Sequence, residues 1–316
     1  MWAALGAVYL IWGSTYLAIR VMVETVPALL GAGVRFVVAG AALLFLTSLR
    51  RERRSLPSRP DLLRLAVIGT LLAAGGNGLV TVAEKHVPSA LSALVIASVP
   101  LWIVVFRSVS GDRPRAATVG GVAIGFAGVA LLLLPGNRPA GVPLDSTLVL
   151  VAAAMSWALG SLLAQRWRVP VKPLVATGWQ MLAGGLVMML AALAAGELGD
   201  VRWSAFSAKS VWSLAYLILI GSLVGYSAYT WLLENVPISK VSTYAYVNPV
   251  VAVILGWAIL GEHISLTILA ASLLIVTAVA TIVRSSAAPG TPRPARQDRW
   301  ARLPGRGTRA ARSPQP

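Results

Sequence analysis

Apolar residues in this chain come in ten long runs separated by short polar connectors. The runs are about Ala3–Ile19, Ala28–Leu49, Leu62–Ala83, Ser89–Val109, Ala116–Leu134, Ser146–Ala164, Leu174–Ala195, Val211–Leu233, Ile238–Leu260 and Ser265–Val283. A helix needs roughly 20 apolar residues to cross a bilayer. Backbone groups in lipid must hydrogen-bond within the protein, so runs of this length predict helices. Pro27, Pro88, Pro170, Pro173 and Pro237 stand near expected helix starts, where a missing N–H costs nothing. The start, MWAALGAVYLIWGSTYLAIR, lacks a basic leader region and reads as the first spanning helix.

One charge interrupts the pattern. Arg35 lies inside ALLGAGVRFVVAGAALLFLTSL, where insertion costs about 2.5–3.5 kcal/mol, so the side chain is expected in a protein interior or a wet cavity. It is also about two turns from Ala28, where its aliphatic stem could snorkel to the interface. The same segment recurs 145 residues later: Gly33, Arg35 and Gly40 correspond to Gly178, Gln180 and Gly185, and Trp12 to Trp157. A second block, Thr81–Pro100, matches Thr230–Pro249 at an offset of 149, aligning Pro88 with Pro237, Pro100 with Pro249 and Asn77 with Tyr226. The chain is therefore a duplication with five helices in each half. Five is odd, so the second half enters the membrane from the opposite side. Such inverted repeats hold transported cargo near the midplane, at the repeat interface.

Composition supports a membrane protein. Of 316 residues, 57% are hydrophobic and 12% charged, against about 25% charged in soluble domains. The net charge of +16 would suggest nucleic acid in a soluble protein. Here the basic residues sit between apolar runs, which points to membrane orientation and to no nucleic-acid partner. With a cytoplasmic amino terminus the inner loops carry thirteen Lys and Arg against five in the outer loops, and the tail adds eight arginines on the inner side. Both termini are then cytoplasmic. The tail from Ser285 onward is rich in Pro, Gly, Ala and Arg and cannot bury enough apolar surface to order itself. It is either a solvated extension or a basic segment drawn to anionic headgroups. The reading gives three parts: residues 1–137, 143–284 and the tail 285–316.

YLIWGSTYLAIR at Tyr9–Arg20, GVRFVVAG at Gly33–Gly40, GNGLVTVAEKHVPS at Gly76–Ser89 and TYAYVNPVVAVILGWAILGE at Thr243–Glu262 together resemble the EamA family of the drug/metabolite transporter superfamily. The resemblance covers about residues 5–283. It implies an all-α membrane protein, with ten transmembrane helices as two inverted five-helix repeats around a central cavity, working by alternating access. Members of the family move amino acids, sugars, nucleotide-linked compounds and drugs, often outward.

Transport needs polar groups at depth that release cargo readily. The candidates are Trp12, Tyr16, Arg35 and Asn77 in the first half, and Trp157, Gln180, Tyr226, Tyr229, Tyr244 and Asn248 in the second, with Ser14, Thr15, Ser161 and Tyr246 beside them. Asn77 could instead make a helix–helix hydrogen bond, and Tyr246 could be core packing. Trp203 and Trp212, near segment ends, read as interface anchors. Pro100 and Pro249 fall mid-run, as paired hinges or as static bends. Gly121 and Gly125, with Gly128 on the same face, permit close helix contact either within the protein or between two protomers.

The absences narrow the function. There is no cysteine and only His86 and His263, so disulfide chemistry and a histidine metal site are not expected. Walker, Ser-His-Asp and HExxH patterns are lacking, and no acidic residue lies deep in a run, which leaves proton coupling by an embedded carboxylate unsupported. Glu84 and Glu234, near run ends, could still reach inward. The reading is a secondary transporter or facilitator, monomer or weak homodimer and without cofactor. It moves a small polar metabolite, amino-acid-like or related, outward across the cytoplasmic membrane. Arg35 argues for an anionic or zwitterionic end on the cargo. A multidrug exporter is the alternative, and a membrane-embedded enzyme a more distant one.

Overall fold

The structure, a computed structural model, describes residues 1–49, 56–134, 141–199 and 201–287. The described residues are helical throughout, without strands. Each apolar run forms a helical stretch: α1 (Trp2–Met22), α2 (Ala28–Leu49), α3 (Arg59–Ala83), α4 (Ser89–Val109), α5 (Ala116–Leu133), α6 (Leu144–Arg166), α7 (Pro173–Ala194), α8 (Ala208–Asn235), α9 (Ile238–Val241 continued by Tyr244–Leu260) and α10 (Leu266–Ala287). Eight of these, α1 to α8, are long and apolar enough to cross a membrane, and the last two contain shorter apolar helices, Val247–Leu260 and Leu266–Ile282. α10 runs to Ala287, past the expected start of the tail. The rest of the tail, and Arg50–Ser55 of the basic loop, lie outside the described residues.

Helix starts follow local chemistry. Ser58 caps α3 by accepting from the Asp61 amide, and Ser207 caps α8 through Ser210, each satisfying an otherwise free N–H. α9 ends on Gly261, which adopts the left-handed conformation (φ 66°) that glycine tolerates without strain.

Small residues decide which helices cross closely. α2 and α7 run antiparallel. A Cβ at Gly40 would stand 2.8 Å from the Leu182 amide, and one at Gly185 2.7 Å from the Val37 amide. Gly33 meets Met189, and Gly178 meets Leu44. Exchanging equivalent positions of the two halves turns Gly33–Met189 into Gly178–Leu44, and Gly40–Leu182 into Gly185–Val37. The repeated glycines therefore serve one crossing that maps onto itself. α5 and α10 behave alike: Gly121 meets Ile282, Gly125 meets Ala278 and Gly128 meets Ile275. The small-residue face of α5 thus packs within the protein.

Candidate functional site

The centre of the molecule is built on two widened helical stretches. Thr70–Gly78 in α3 and Leu217–Tyr226 in α8 are π-helical, the rare form that concentrates at functional sites. Both are glycine-bearing and nearly equivalent between the halves. Each takes an indole from the opposite half: Trp157 lies against Gly76, and Trp12 against Gly225, where added methyl groups would come within 2.4 and 2.8 Å. Trp12 Nε1 also points at the Gly221 carbonyl, 3.4 Å away. The matched tryptophans thus lock α1 and α6 onto the wide turns of α8 and α3.

These indoles join three tyrosines in one aromatic cluster. The Trp12 ring lies 5.2 Å from Trp157, 4.7 Å from Tyr229 and 5.5 Å from Tyr244. Tyr226 meets Trp157 edge-on at 6.2 Å. Trp157 Nε1 donates to the Tyr229 hydroxyl at 2.9 Å, and that hydroxyl also bonds Ser161 at 2.6 Å. The Tyr226 hydroxyl is buried without a partner. A cavity of about 40 Å³ beside the cluster is lined by Trp12, Thr15, Tyr16, Asn77, Trp157 and Tyr244, among others. Seven of the expected residues therefore converge here: Trp12, Tyr16, Asn77, Trp157, Tyr226, Tyr229 and Tyr244. Asn248 is buried; with its amide nitrogen turned inward it donates to the Tyr9 and Tyr244 carbonyls at 3.1 and 3.2 Å, which makes it a tether between α1 and α9. The Tyr246 side chain lies outside the described residues.

Arg35 and Gln180 part company. Arg35 is buried, 2% exposed. Its Nε donates to Ser222 Oγ at 2.8 Å, and its guanidinium sits 4.7 Å from the Phe36 ring centroid. Nη1 has no partner. Arg35 does not border the cavity beside the aromatic cluster and grips the wide turn of α8. Gln180, its equivalent, stands against α3 at Gly69 and borders the larger cavity, with Oε1 unpartnered.

That larger cavity, about 630 Å³, opens between α3, α6, α7 and α8. Its polar lining is Gln165, Arg168, Gln180, Thr230, Glu234 and Asn235, beside apolar Leu65, Ile68, Trp167 and Trp231. Gln165 Nε2 donates to the Leu233 and Val236 carbonyls, fixing the turn from α8 to α9 at its mouth. Arg168 and Thr230 did not figure among the sequence candidates. Thr230 had a visible signal in its alignment with Thr81, whereas Arg168 reads from sequence as a loop charge.

The opposite end is fastened. Glu262 accepts from the Ser89 amide (2.8 Å), the Ser89 hydroxyl (2.9 Å) and the Ala90 amide (3.1 Å), capping α4. Glu197 accepts from the Leu29 and Leu30 amides, capping α2. Arg20 reaches the Glu84 carbonyl at 2.5 Å and the Lys85 carbonyl at 3.0 Å. Carboxylates at helix N-termini satisfy free N–H groups and the helix dipole together. Glu84, expected near a run end, is 0% exposed.

The proline expectation is corrected in part. α4 breaks at Ala97–Ser98, and Pro100 stands in the first turn of its second segment rather than inside a helix. Pro249 lies inside Tyr244–Leu260. α9 breaks earlier, at Ser242–Thr243, so the two breaks are not equivalent.

A many-helix membrane protein with a polar cavity open at one end and fastened at the other belongs to the class of solute carriers. The chain belongs to the EamA-like transporter family, whose model matches residues 1–134 and again 146–284. It is similar to the inner membrane transporter YedA of Escherichia coli strain K12, 43% identical over 267 residues, 84% of each chain. It is also similar to the transporter YoaV of Bacillus subtilis strain 168, 23% identical over 85% of this chain and 91% of that protein. A crystal structure of a protein 22% identical superposes with a TM-score of 0.63, covering 88% of this chain and 94% of the other, which shows the fold. The chain is thus a membrane transporter and not an enzyme.

Proposed function

We propose that the chain is a secondary transporter or facilitator that exports a small polar metabolite, amino-acid-like or related, across the cytoplasmic membrane by alternating access. In this reading residues 1–137 and 143–284 are inverted five-helix repeats and both termini are cytoplasmic. The observation that carries it is the one-sided cavity of about 630 Å³, set against an opposite end closed by Glu262, Glu197 and Arg20. The self-mapping crossing of α2 and α7 supports the inverted relation. The cavity mouth lies at the end that carries the basic loops, so this is the inward-open state under the charge rule.

The mirror half holds the parts of the opposite state. Gly111 (φ 94°) and Asp112 end α4 as Gly261 and Glu262 end α9. Asp112 is occupied by Arg107 Nε at 2.8 Å. Released, it would cap the start of α9 as Glu262 now caps α4, closing the cytoplasmic end. Arg168 and Glu234 offer opposite charges to a zwitterion, with Gln180 and Thr230 between them as neutral hydrogen-bonding groups.

Uptake of labelled amino acids and related zwitterions into proteoliposomes tests the reading. Saturable uptake of at least one zwitterion, weakened by Gln180→Ala, is expected. Uptake of lipophilic cations only would replace it with the multidrug reading.

A further inference from the structure

At the fastened end, α3 stops at Ala83 and the next side chain turns back inward. Glu84 is 0% exposed, and both its carboxylate oxygens are buried without a hydrogen bond. Arg20 binds its main-chain carbonyl, not its carboxylate. The groups that face it come from four elements. α1 gives Arg20 and Tyr16, α2 Arg35, and α4 Ser92, while the turn after α9 gives Glu262. On its own loop Lys85 and His86 are exposed.

The two carboxylates of this end are in opposite situations. Glu262 accepts three hydrogen bonds at the α4 N-terminus. Its Oε2 has room there because residue 256 is glycine, whose absent Cβ would fall 2.6 Å away. Glu84 makes no hydrogen bond, with only the Ser92 hydroxyl near enough to become a donor, and a bare carboxylate in such a place costs several kcal/mol. Neighbouring carboxylates in unequal surroundings divide into an acid and an anion.

We propose that Glu84 is a proton-binding site that locks this end of the transporter shut. The site is built from a buried carboxyl, the Glu262 cap beside it and the Arg20 clamp on its main chain. It takes its proton from the compartment that this end faces. The proposal rests on the alternating-access reading. Opening this end must part α4 from the Glu262 cap, which lets water reach Glu84 and lets it ionise.

The direction follows from linkage. Burial first, and then Glu262, push the Glu84 carboxyl well above the ordinary carboxylate range, while Arg20, Ser92 and Arg35 pull it back. A group that holds its proton more tightly in the closed state stabilises that state at low pH. This stabilisation is lost as pH rises through the raised value. Between the ordinary glutamate value and the raised one, each pH unit changes the closed-to-open ratio by up to about tenfold.

The chain has no cysteine, so two can be introduced cleanly. Lys85→Cys and His263→Cys, both on exposed positions of the fastened end, take spin labels whose separation is read by pulsed resonance in nanodiscs from pH 5 to pH 9. The expected result is one short separation at low pH and a growing longer one as pH rises. Glu84→Gln, a permanently neutral stand-in, should hold the short separation throughout. The carbonyl stretch of a protonated carboxyl should appear in the infrared spectrum at pH 7 and vanish in Glu84→Gln. Absence of that band overturns the proposal, as does a pH-driven separation that survives Glu84→Gln. Opening that occurs equally at every pH overturns the lock but leaves alternating access standing. If the fastened end opens at no pH, both readings fall.

Discussion

Single residues set how closely this molecule can pack, and glycine is the clearest case. A Cβ at Gly69 would stand 2.1 Å from the Gln180 carbonyl, whereas nothing lies within 4 Å of Gly120. Backbone cannot yield as a flexible side chain does, and overpacking costs about 1–3 kcal/mol. Gly69→Ala should therefore lower the thermal unfolding temperature of the purified protein several degrees, while Gly120→Ala leaves it unchanged; equal effects would mean α3 and α7 do not meet as described. Arg35 makes a second residue-scale case. Its Nε–Ser222 bond joins α2 to the wide turn of α8, and a bond to a charged group is worth about 1.5–3 kcal/mol. Lysine keeps the charge but not the fork of donors. Arg35→Lys should cut transport several-fold per folded molecule, and Ser222→Ala should do the same in uptake assays; unchanged rates for both would leave Arg35 as inert packing. The interior position of Arg35 was legible in the sequence because one charge stood alone in an apolar run. Its partner was not, because Ser222 is an ordinary polar residue until the backbone around it widens.

At the scale of elements, hydrophobic runs located the ten long helical stretches, since lipid leaves the backbone no alternative, but not the 3-10 turn at Trp203–Ala205. Breaks within them were less legible. The discontinuity of α4 precedes Pro100, and that of α9 falls at Ser242–Thr243, well before Pro249. The π-helical stretches had a partial signal in their glycines, but i→i+5 bonding has no periodicity that a hydrophobic pattern reveals. Glu84 and Glu262 looked like end-of-helix charges, because burial of a loop residue depends on how the loop folds back. Two predictions belong here. Pro249, inside a helix, should act as a hinge more than Pro100, in a first turn. Pro249→Ala should slow transport more than it lowers abundance, with a smaller effect for Pro100→Ala, and the reverse order in rate measurements would contradict this. Gly256→Ala should push Glu262 off the α4 N-terminus, at the cost of about 1 kcal/mol for a lost cap. An impermeant maleimide should then label Val87→Cys about fivefold faster than in the same background with Gly256 intact.

The whole molecule is a duplication whose halves are alike in contact and unlike in state. Matching tryptophans pack on matching glycines, and α2 crosses α7 through a pattern that repeats on exchange, yet one end is fastened and the other holds a cavity of about 630 Å³. The duplication was legible from two offsets in the sequence; which end is open was not, because Asp112 and Glu262 end equivalent helices and only the fold shows which of them is paired across the halves. The proposed orientation rests on the loop charges, and under it a reporter fused after Arg284 should be active only in the cytoplasm. The central claim, that one cavity serves both sides in turn, is tested most directly by trans-acceleration in proteoliposomes. Vesicles preloaded with an unlabelled zwitterion that the protein carries should take up the labelled form several-fold faster than empty vesicles. A cross-link between cysteines placed at Lys85 and His263 should abolish the exchange until it is reduced. Uptake that is indifferent to internal cargo and persists under the cross-link would mark an open pore and contradict the account.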